Sequence, residues 1–262
     1  MDNIIPKNLN IRCSSNGIGD MVCGAYVAQS LKERFPNKII TYYVIQPEWF
    51  KYIDGVNIKH YLKMEQLAID VYSIAPNVRN KIWNKISRKQ LYCSKITFTK
   101  LNPKPPRVCV PNYNKFGSIL LFPYALWKDR NWNLDGWISL EQRLYKTYKN
   151  VIVVGTPDQD VSMFMNGVNN IDKREVLELI LNSKCVVSND SGMAHIGGLY
   201  GIPTVAIINF FSHDQLFSHT DITTLENFNK ITSKDVHDKV VEVINRSGII
   251  KHQGVIESTI EI

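Results

Sequence analysis

The sequence predicts an α/β chain of two doubly wound domains, and three observations carry that expectation. Short apolar runs alternate with stretches of helical periodicity along most of the chain, the pattern of a parallel sheet covered on both faces. The first half opens on a strand, a turn, a helix and a second strand, which is the βαβ unit of such a domain. A proline-rich stretch at Pro103, Pro105 and Pro106 then reads as a linker. The expected division sets residues 1–112 apart from residues 113–262, with the first domain shortened. At 262 residues, 44% of them hydrophobic, the chain has material for two cores.

Each element has its own signal. Asn10–Ser14 is a short strand, and Ser15-Asn16-Gly17-Ile18-Gly19 the turn behind it. From Asp20 to Phe35, Met21, Ala25, Ala28 and Leu31 recur at near-helical spacing until Pro36-Asn37 breaks the pattern. Lys38–Ile45 is β-branched and aromatic, as strands are. Residues 57–110 have no readable period. The second half predicts strands at Gly117–Phe122, Val151–Gly155, Cys185–Ser188 and Thr204–Ile208. Its helices are expected at Leu134–Tyr148, Lys173–Ser183, Ser191–Tyr200 and Val236–Ile244.

Composition excludes several classes. With 21% charged residues and ordinary aromatic content, the chain is neither disordered nor fibrous in type. The start lacks the layout of a secretory signal, and no apolar run reaches the roughly 18 residues of a membrane span. The expected location is the cytoplasm, with no integral membrane segment. Five cysteines, Cys13, Cys23, Cys93, Cys109 and Cys185, form no CxxC pair. They read as buried small hydrophobes and not as a disulfide framework or a zinc site.

Net charge is +7 but unevenly spread. Val71 to Lys128 holds no Asp or Glu and eleven basic residues, among them Arg79, Lys81, Lys85, Arg88 and Lys89. Outside it, the remaining 20 of the 31 basic residues stand against all 24 acidic ones. One segment therefore supplies the positive balance. It reads as a solvated basic face or as a surface for a polyanion. Trp83, Tyr92, Phe98 and Tyr113 are interleaved with these charges, which suits stacking on bases and equally suits an ordinary core.

The densest local signal is Val186-Val187-Ser188-Asn189-Asp190-Ser191-Gly192-Met193-Ala194-His195. An apolar strand ends in a polar turn and runs straight into a helix, whose first amides have no intrahelical partners. Gly192 lets a ligand approach the backbone, and the helix dipole favours an anion there. Asp190 can accept from sugar hydroxyls and Ser191 can donate to a phosphate. Plain helix capping explains Asn, Asp and Ser at this place just as well.

The run SNDSGMAHIGGLYGIPTVAI resembles the signature of the heptosyltransferase family of GT-B glycosyltransferases (glycosyltransferase family 9), with its Asp-(Ser/Thr)-Gly-x-x-His core. Three more stretches resemble that family in the same order. Ser14–Pro36 is similar to its first glycine turn and helix. Lys128-Asp129-Arg130-Asn131-Trp132 with Gly136-Trp137 resembles its Lys-x-Trp motif, and Val151–Asp158 its nucleotide-facing strand and turn.

The resemblance implies an α/β GT-B fold: two Rossmann-like domains facing across a cleft, the donor held mainly by the second and the acceptor by the first. It allows the C-terminal tail to return to the first domain. It implies a metal-independent, inverting transfer from a nucleotide-diphosphate-sugar, with no cofactor beyond that donor. Asp20 falls where the family places its catalytic aspartate, taking the proton of the acceptor hydroxyl; the residue by itself also reads as a helix N-cap. Arg130 stands where the family has lysine, to neutralise the diphosphate leaving group, with Lys128 as a nearby alternative. Asp190, Ser191, Gly192 and Met193 match the donor segment, and His195 the histidine of the motif. Gly19 and Asp158 complete the expected donor contacts, Asp158 toward ribose or base.

Three functional readings follow. In the favoured one the polyanionic acceptor is a hydroxymethylated DNA base, with Arg79, Lys81, Lys85, Arg88 and Lys89 as its basic surface. Abundant Asn, Ile and Lys suit an AT-rich genome, and a phage enzyme of this kind would work in the host cytoplasm. The second acceptor is lipopolysaccharide core or another surface glycan. The third reading is a non-catalytic nucleotide-sugar or nucleic-acid binding module.

Overall fold

The computed structural model describes residues 5–64, 68–72, 88–110, 117–169, 171–209 and 222–254. They form two compact units, residues 5–110 and residues 117–209 with 222–254. Each unit has its own parallel sheet.

In the first unit the strands are β1 (Asn8–Arg12), β2 (Ile39–Val44), β3 (Asn57–His60) and β4 (Ile69–Asp70), in the order β3-β2-β1-β4. All neighbours run parallel, with Asn10 opposite Thr41 and Ile11 opposite Ile69. Helix α1 (Ile18–Arg34) connects β1 to β2 and is buried without interruption from Gly19 to Leu31. A helix apolar on every side belongs inside its domain. Gly24 lets it approach the sheet: a Cβ there would lie 2.1 Å from the Tyr42 hydroxyl oxygen, and Tyr42 itself donates to the Met21 carbonyl at 2.7 Å. The short helix α2 (Arg88–Cys93) packs on α1.

The proline stretch is not a linker. The Lys104 amide donates to Ser30 Oγ (2.9 Å) and the Arg107 amide to Gln29 Oε1 (3.3 Å). The Asp54 amide donates to the Arg107 carbonyl and the Cys109 amide to the Tyr52 carbonyl, both at 2.8 Å. Prolines break the ladder pattern, but the amides between and after them are anchored on two buried polar side chains of α1.

The second unit has six strands: β5 (Ser118–Phe122), β6 (Val151–Val154), β7 (Gly167–Val168), β8 (Ser183–Asn189), β9 (Thr204–Ile208) and β10 (Ile222–Glu226). All pair in parallel in the order β10-β9-β8-β5-β6-β7. Counted from the unit's own first strand this is 6-5-4-1-2-3, the dinucleotide-fold order. Every residue of β5 and β9 is buried, as central parallel strands require. Alternate residues, Ile119 and Leu121, Val151 and Val153, Cys185 and Val187, Val205 and Ile207, join one core. Helices α3 (Leu134–Tyr148) and α6 (Ser233–Gly254) close that face through Trp137, Leu140, Leu144, Val236, Val240 and Val243. Trp132 meets Trp137 edge to face, centroids 5.7 Å apart. The remaining helices are α4 (Lys173–Leu181) and α5 (Gly192–Leu199).

The closing helix is longer than expected, and its apolar side packs on the second unit; residues 255–262, where a return to the first domain was expected, lie outside the described residues. The edge strands β7 and β10 were not expected from the sequence. Four of the cysteines are buried as expected, but Cys109 is exposed. It follows the anchored proline stretch and faces away from the core.

Gly24→Ala is expected to destabilise the protein by about 1–3 kcal/mol through overpacking against Tyr42. Urea unfolding checks this; an unchanged or raised midpoint would contradict the tight α1–β2 contact.

Candidate functional site

In an open parallel sheet, ligands collect outside the carboxyl ends of the strands, where the strand order reverses. Each unit has one such point, between β1 and β4 in the first and between β5 and β8 in the second.

In the first unit, β1 ends at Arg12 and β4 at Asp70. Arg12 Nε lies 3.2 Å from Asp70 Oδ2, and Arg12 Nη1 donates to the Tyr61 hydroxyl at 3.1 Å. Asp70 Oδ1 accepts from the Tyr72 amide at 3.0 Å. The turn after β1 delivers Asp20 to the first turn of α1. Asp20 is not the N-cap: that position is Gly17, and no side chain caps it. Its carboxylate is buried at 9% exposure, accepting from Ser15 Oγ at Oδ2 and from the Tyr92 hydroxyl at Oδ1, both at 2.7 Å. Ser15 Oγ also accepts from the Gly17 amide at 3.0 Å. A Cβ on Gly17 would stand 3.0 Å from Asp20 Oδ2, so this tight turn is built around the carboxylate.

Tyr92 takes the core reading of the two that the sequence left open. It does not offer a face for base stacking: it is 2% exposed, on α2, with its ring edge-on to Tyr72. Burial pushes its phenol well above the usual range, and the Asp20 charge adds to this. Tyr92 therefore stays protonated and donates. Burial likewise raises the Cys13 thiol, so this cysteine at the end of β1 is inert packing.

In the second unit the segments after β5 and β8 are tied by one asparagine. Asn189, fully buried, accepts from the Trp132 amide at 3.0 Å and donates to the Pro123 carbonyl and, at 3.3 Å, to Asn131 Oδ1. Asn131 Oδ1 in turn accepts from the Ala125 amide at 2.6 Å. The loop so fixed carries Lys128 and Arg130 in a 3₁₀ turn. Arg130 Nη1 lies 3.2 Å from Asp190 Oδ2, and its guanidinium stands over the Trp127 ring at 5.5 Å. Asp190 is buried and Arg130 partly so, whereas Lys128 is exposed. Arg130 is thus paired with Asp190 at the strand-order reversal, while Lys128 lies exposed in the same turn.

Helix α5 begins beside this pair. Ser191 is its N-cap, accepting from the Met193 amide at 3.3 Å and sharing a 2.6 Å hydrogen bond with Ser188 Oγ. Its hydroxyl serves the cap first, as the capping reading has it. Gly192 and Met193 open the helix; the Met193 amide is taken up by Ser191 Oγ, and the Gly192 amide has no partner within the helix. His195 is buried on the fourth residue of α5. Asp158 lies on the exposed turn after β6, its carboxyl held below the usual range by the Thr156 hydroxyl. Gly19 belongs to the first unit, beside Asp20, whereas the other expected donor residues belong to the second.

Of the basic acceptor surface, Arg79, Lys81 and Lys85 lie outside the described residues. Arg88 and Lys89 open α2, and their side chains also lie outside them. The sequence reading missed Ser15, Tyr92, Asn131 and Asn189 as parts of these sites. Among the described residues, no group of three or more His, Cys, Asp or Glu side chains is arranged to hold a metal ion, and no helix is long and apolar enough to cross a membrane.

No family model and no curated protein matches the chain. Solved structures do. ADP-heptose lipopolysaccharide heptosyltransferase II of E. coli is 14% identical with a TM-score of 0.68, covering 92% of this chain and 99% of that one. A glycosyl transferase family 9 structure from Veillonella parvula is 10% identical, TM-score 0.72, covering 91% and 97%. The E. coli heptosyltransferase WaaC with ADP is 10% identical, TM-score 0.64, covering 90% and 99%. At these identities the likeness shows the fold, α/β of the GT-B, heptosyltransferase-like type.

Asn189→Ala is expected to cost about 2–3 kcal/mol, because it strands the buried Trp132 amide and Pro123 carbonyl. Denaturant unfolding checks the number; a loss below about 0.5 kcal/mol would mean that the loop is held by other contacts.

Proposed function

We propose that this chain is a glycosyltransferase that moves a sugar from a nucleoside-diphosphate donor to an acceptor hydroxyl. The observation that carries the reading is the junction at the strand-order reversal of the second unit. There a partly buried arginine, a buried aspartate and a helix N-terminus meet, in a chain with the fold of heptosyltransferases.

The chemistry assigns each group a task. The Gly192 amide and the Arg130 guanidinium take the diphosphate, which gains negative charge as the C1–O bond to phosphate breaks. Asp190, relieved of Arg130 by the phosphate, accepts hydrogen bonds from the sugar. Asp20 takes the proton of the acceptor hydroxyl as its oxygen forms the new bond to C1. A single displacement of this kind inverts the anomeric centre. The reading uses no metal ion, because the guanidinium and the helix amide neutralise the leaving group.

For the acceptor, the heptosyltransferase likeness favours lipopolysaccharide core or a related surface glycan. The acid-free stretch from Val71 to Lys128 favours a second reading, a hydroxymethylated base in DNA. A mass-shift assay separates them. The protein is incubated with ADP-heptose and a pool of other nucleotide sugars, and with either truncated lipopolysaccharide core or a 5-hydroxymethylcytosine duplex. One acceptor is expected to gain a sugar mass, in EDTA as well as without it, and the gain is expected to vanish in Asp20→Ala. Nucleotide-sugar binding with no mass gain on any acceptor would leave a binding module. In the active pair, Arg130→Ala is expected to lower kcat/KM by about 100- to 1,000-fold. A loss of less than fivefold would remove Arg130 from the reaction.

A further inference from the structure

Resting on the transferase reading, we propose that Tyr92 is a positioning residue for that reaction, fixing the Asp20 carboxylate jointly with Ser15 so that one carboxylate geometry is presented to the acceptor hydroxyl. The two hydroxyls approach different oxygens of the same group, Ser15 Oγ at Oδ2 and Tyr92 at Oδ1, each at 2.7 Å. Together they fix the rotation of the carboxylate about its own axis, which a single hydrogen bond does not.

The two donors have different origins, and that difference gives the arrangement its rigidity. Ser15 stands five residues before Asp20, in the turn whose Gly17 amide it also binds. Tyr92 comes from α2, 72 residues away in sequence, and is buried against Tyr72 in the segment after β4. The turn thus sets one oxygen locally, and the packing of α2 on α1 sets the other. Because burial keeps the phenol protonated, Tyr92 serves as a donor throughout the working pH range. A buried tyrosine needed only for packing has no call for a carboxylate partner, since its hydroxyl is satisfied equally well by a main-chain carbonyl, as Tyr42 is by that of Met21.

The distinction is testable with Tyr92→Phe, which keeps the ring and removes only the hydroxyl, and with Ser15→Ala. Both are assayed beside the wild type and Asp20→Ala, on whichever of truncated lipopolysaccharide core and the hydroxymethylcytosine duplex gains mass. Each variant is expected to lower kcat by about 10- to 100-fold, as slight misplacement of a catalytic group does, with the KM for the nucleotide sugar unchanged within twofold. Thermal unfolding run alongside reports the folded fraction. The inference is overturned if Tyr92→Phe keeps the wild-type kcat. It is overturned equally if kcat falls only in proportion to a loss of folded protein. A wild type that transfers nothing to either acceptor sinks the transferase reading itself, and the positioning role with it. That result is distinct from an active wild type matched by an active Tyr92→Phe.

Discussion

The second unit's working edge depends on how one buried amide is satisfied. Parallel strands β5 and β8 are neighbours, and the chain leaves them toward opposite halves of the sheet. At such a reversal the strand ends part, and the main-chain groups there lack ladder partners. Asn189 fills the gap from β8, meeting the Trp132 amide and the Pro123 carbonyl with opposite ends of its side chain. Asn131 then takes up the Ala125 amide. With both ends of the segment 123–132 fixed, the intervening 3₁₀ turn has little freedom left, and Arg130 meets Asp190 as a consequence. Trp132, whose amide is held by Asn189, also carries its ring into the core against Trp137. Packing and site geometry therefore share one anchor.

What was legible in the sequence follows from how local each signal is. Leu134–Tyr148 and Thr204–Ile208 fold over the expected residues, because a helical stripe or a buried β-branched run states its own structure. The stretch from Ser188 to His195 was legible as a site because strand end, polar turn and helix start are contiguous there. Tyr92 was not. Its partnership with Asp20 joins residues 72 apart, and nothing around it distinguishes a buried phenol from a stacking one. The prolines misled for a related reason. Their lack of amides suggested a linker, whereas the informative residues were Gln29 and Ser30, two polar side chains on the buried part of α1. Buried polar residues need partners, and these two waited for a segment more than 70 positions away.

The two candidate sites differ in how their charges are held. Asp20 is clamped by neutral donors, a serine and a tyrosine that stays protonated. Neutral donors orient a carboxylate without pairing it to a full charge, which is the arrangement the proposed base role requires. Arg130 is held by a full opposite charge on Asp190, a buried group. Breaking such a pair with nothing in exchange deprives a buried carboxylate of a full opposite charge, which is costly. On the proposed transferase reading, an incoming diphosphate supplies the exchange on the arginine side, and sugar hydroxyls supply it on the aspartate side. A ligand with only one of those features leaves one partner unsatisfied. On that reading the ion pair acts as a selectivity element for a molecule with phosphate and sugar in one piece.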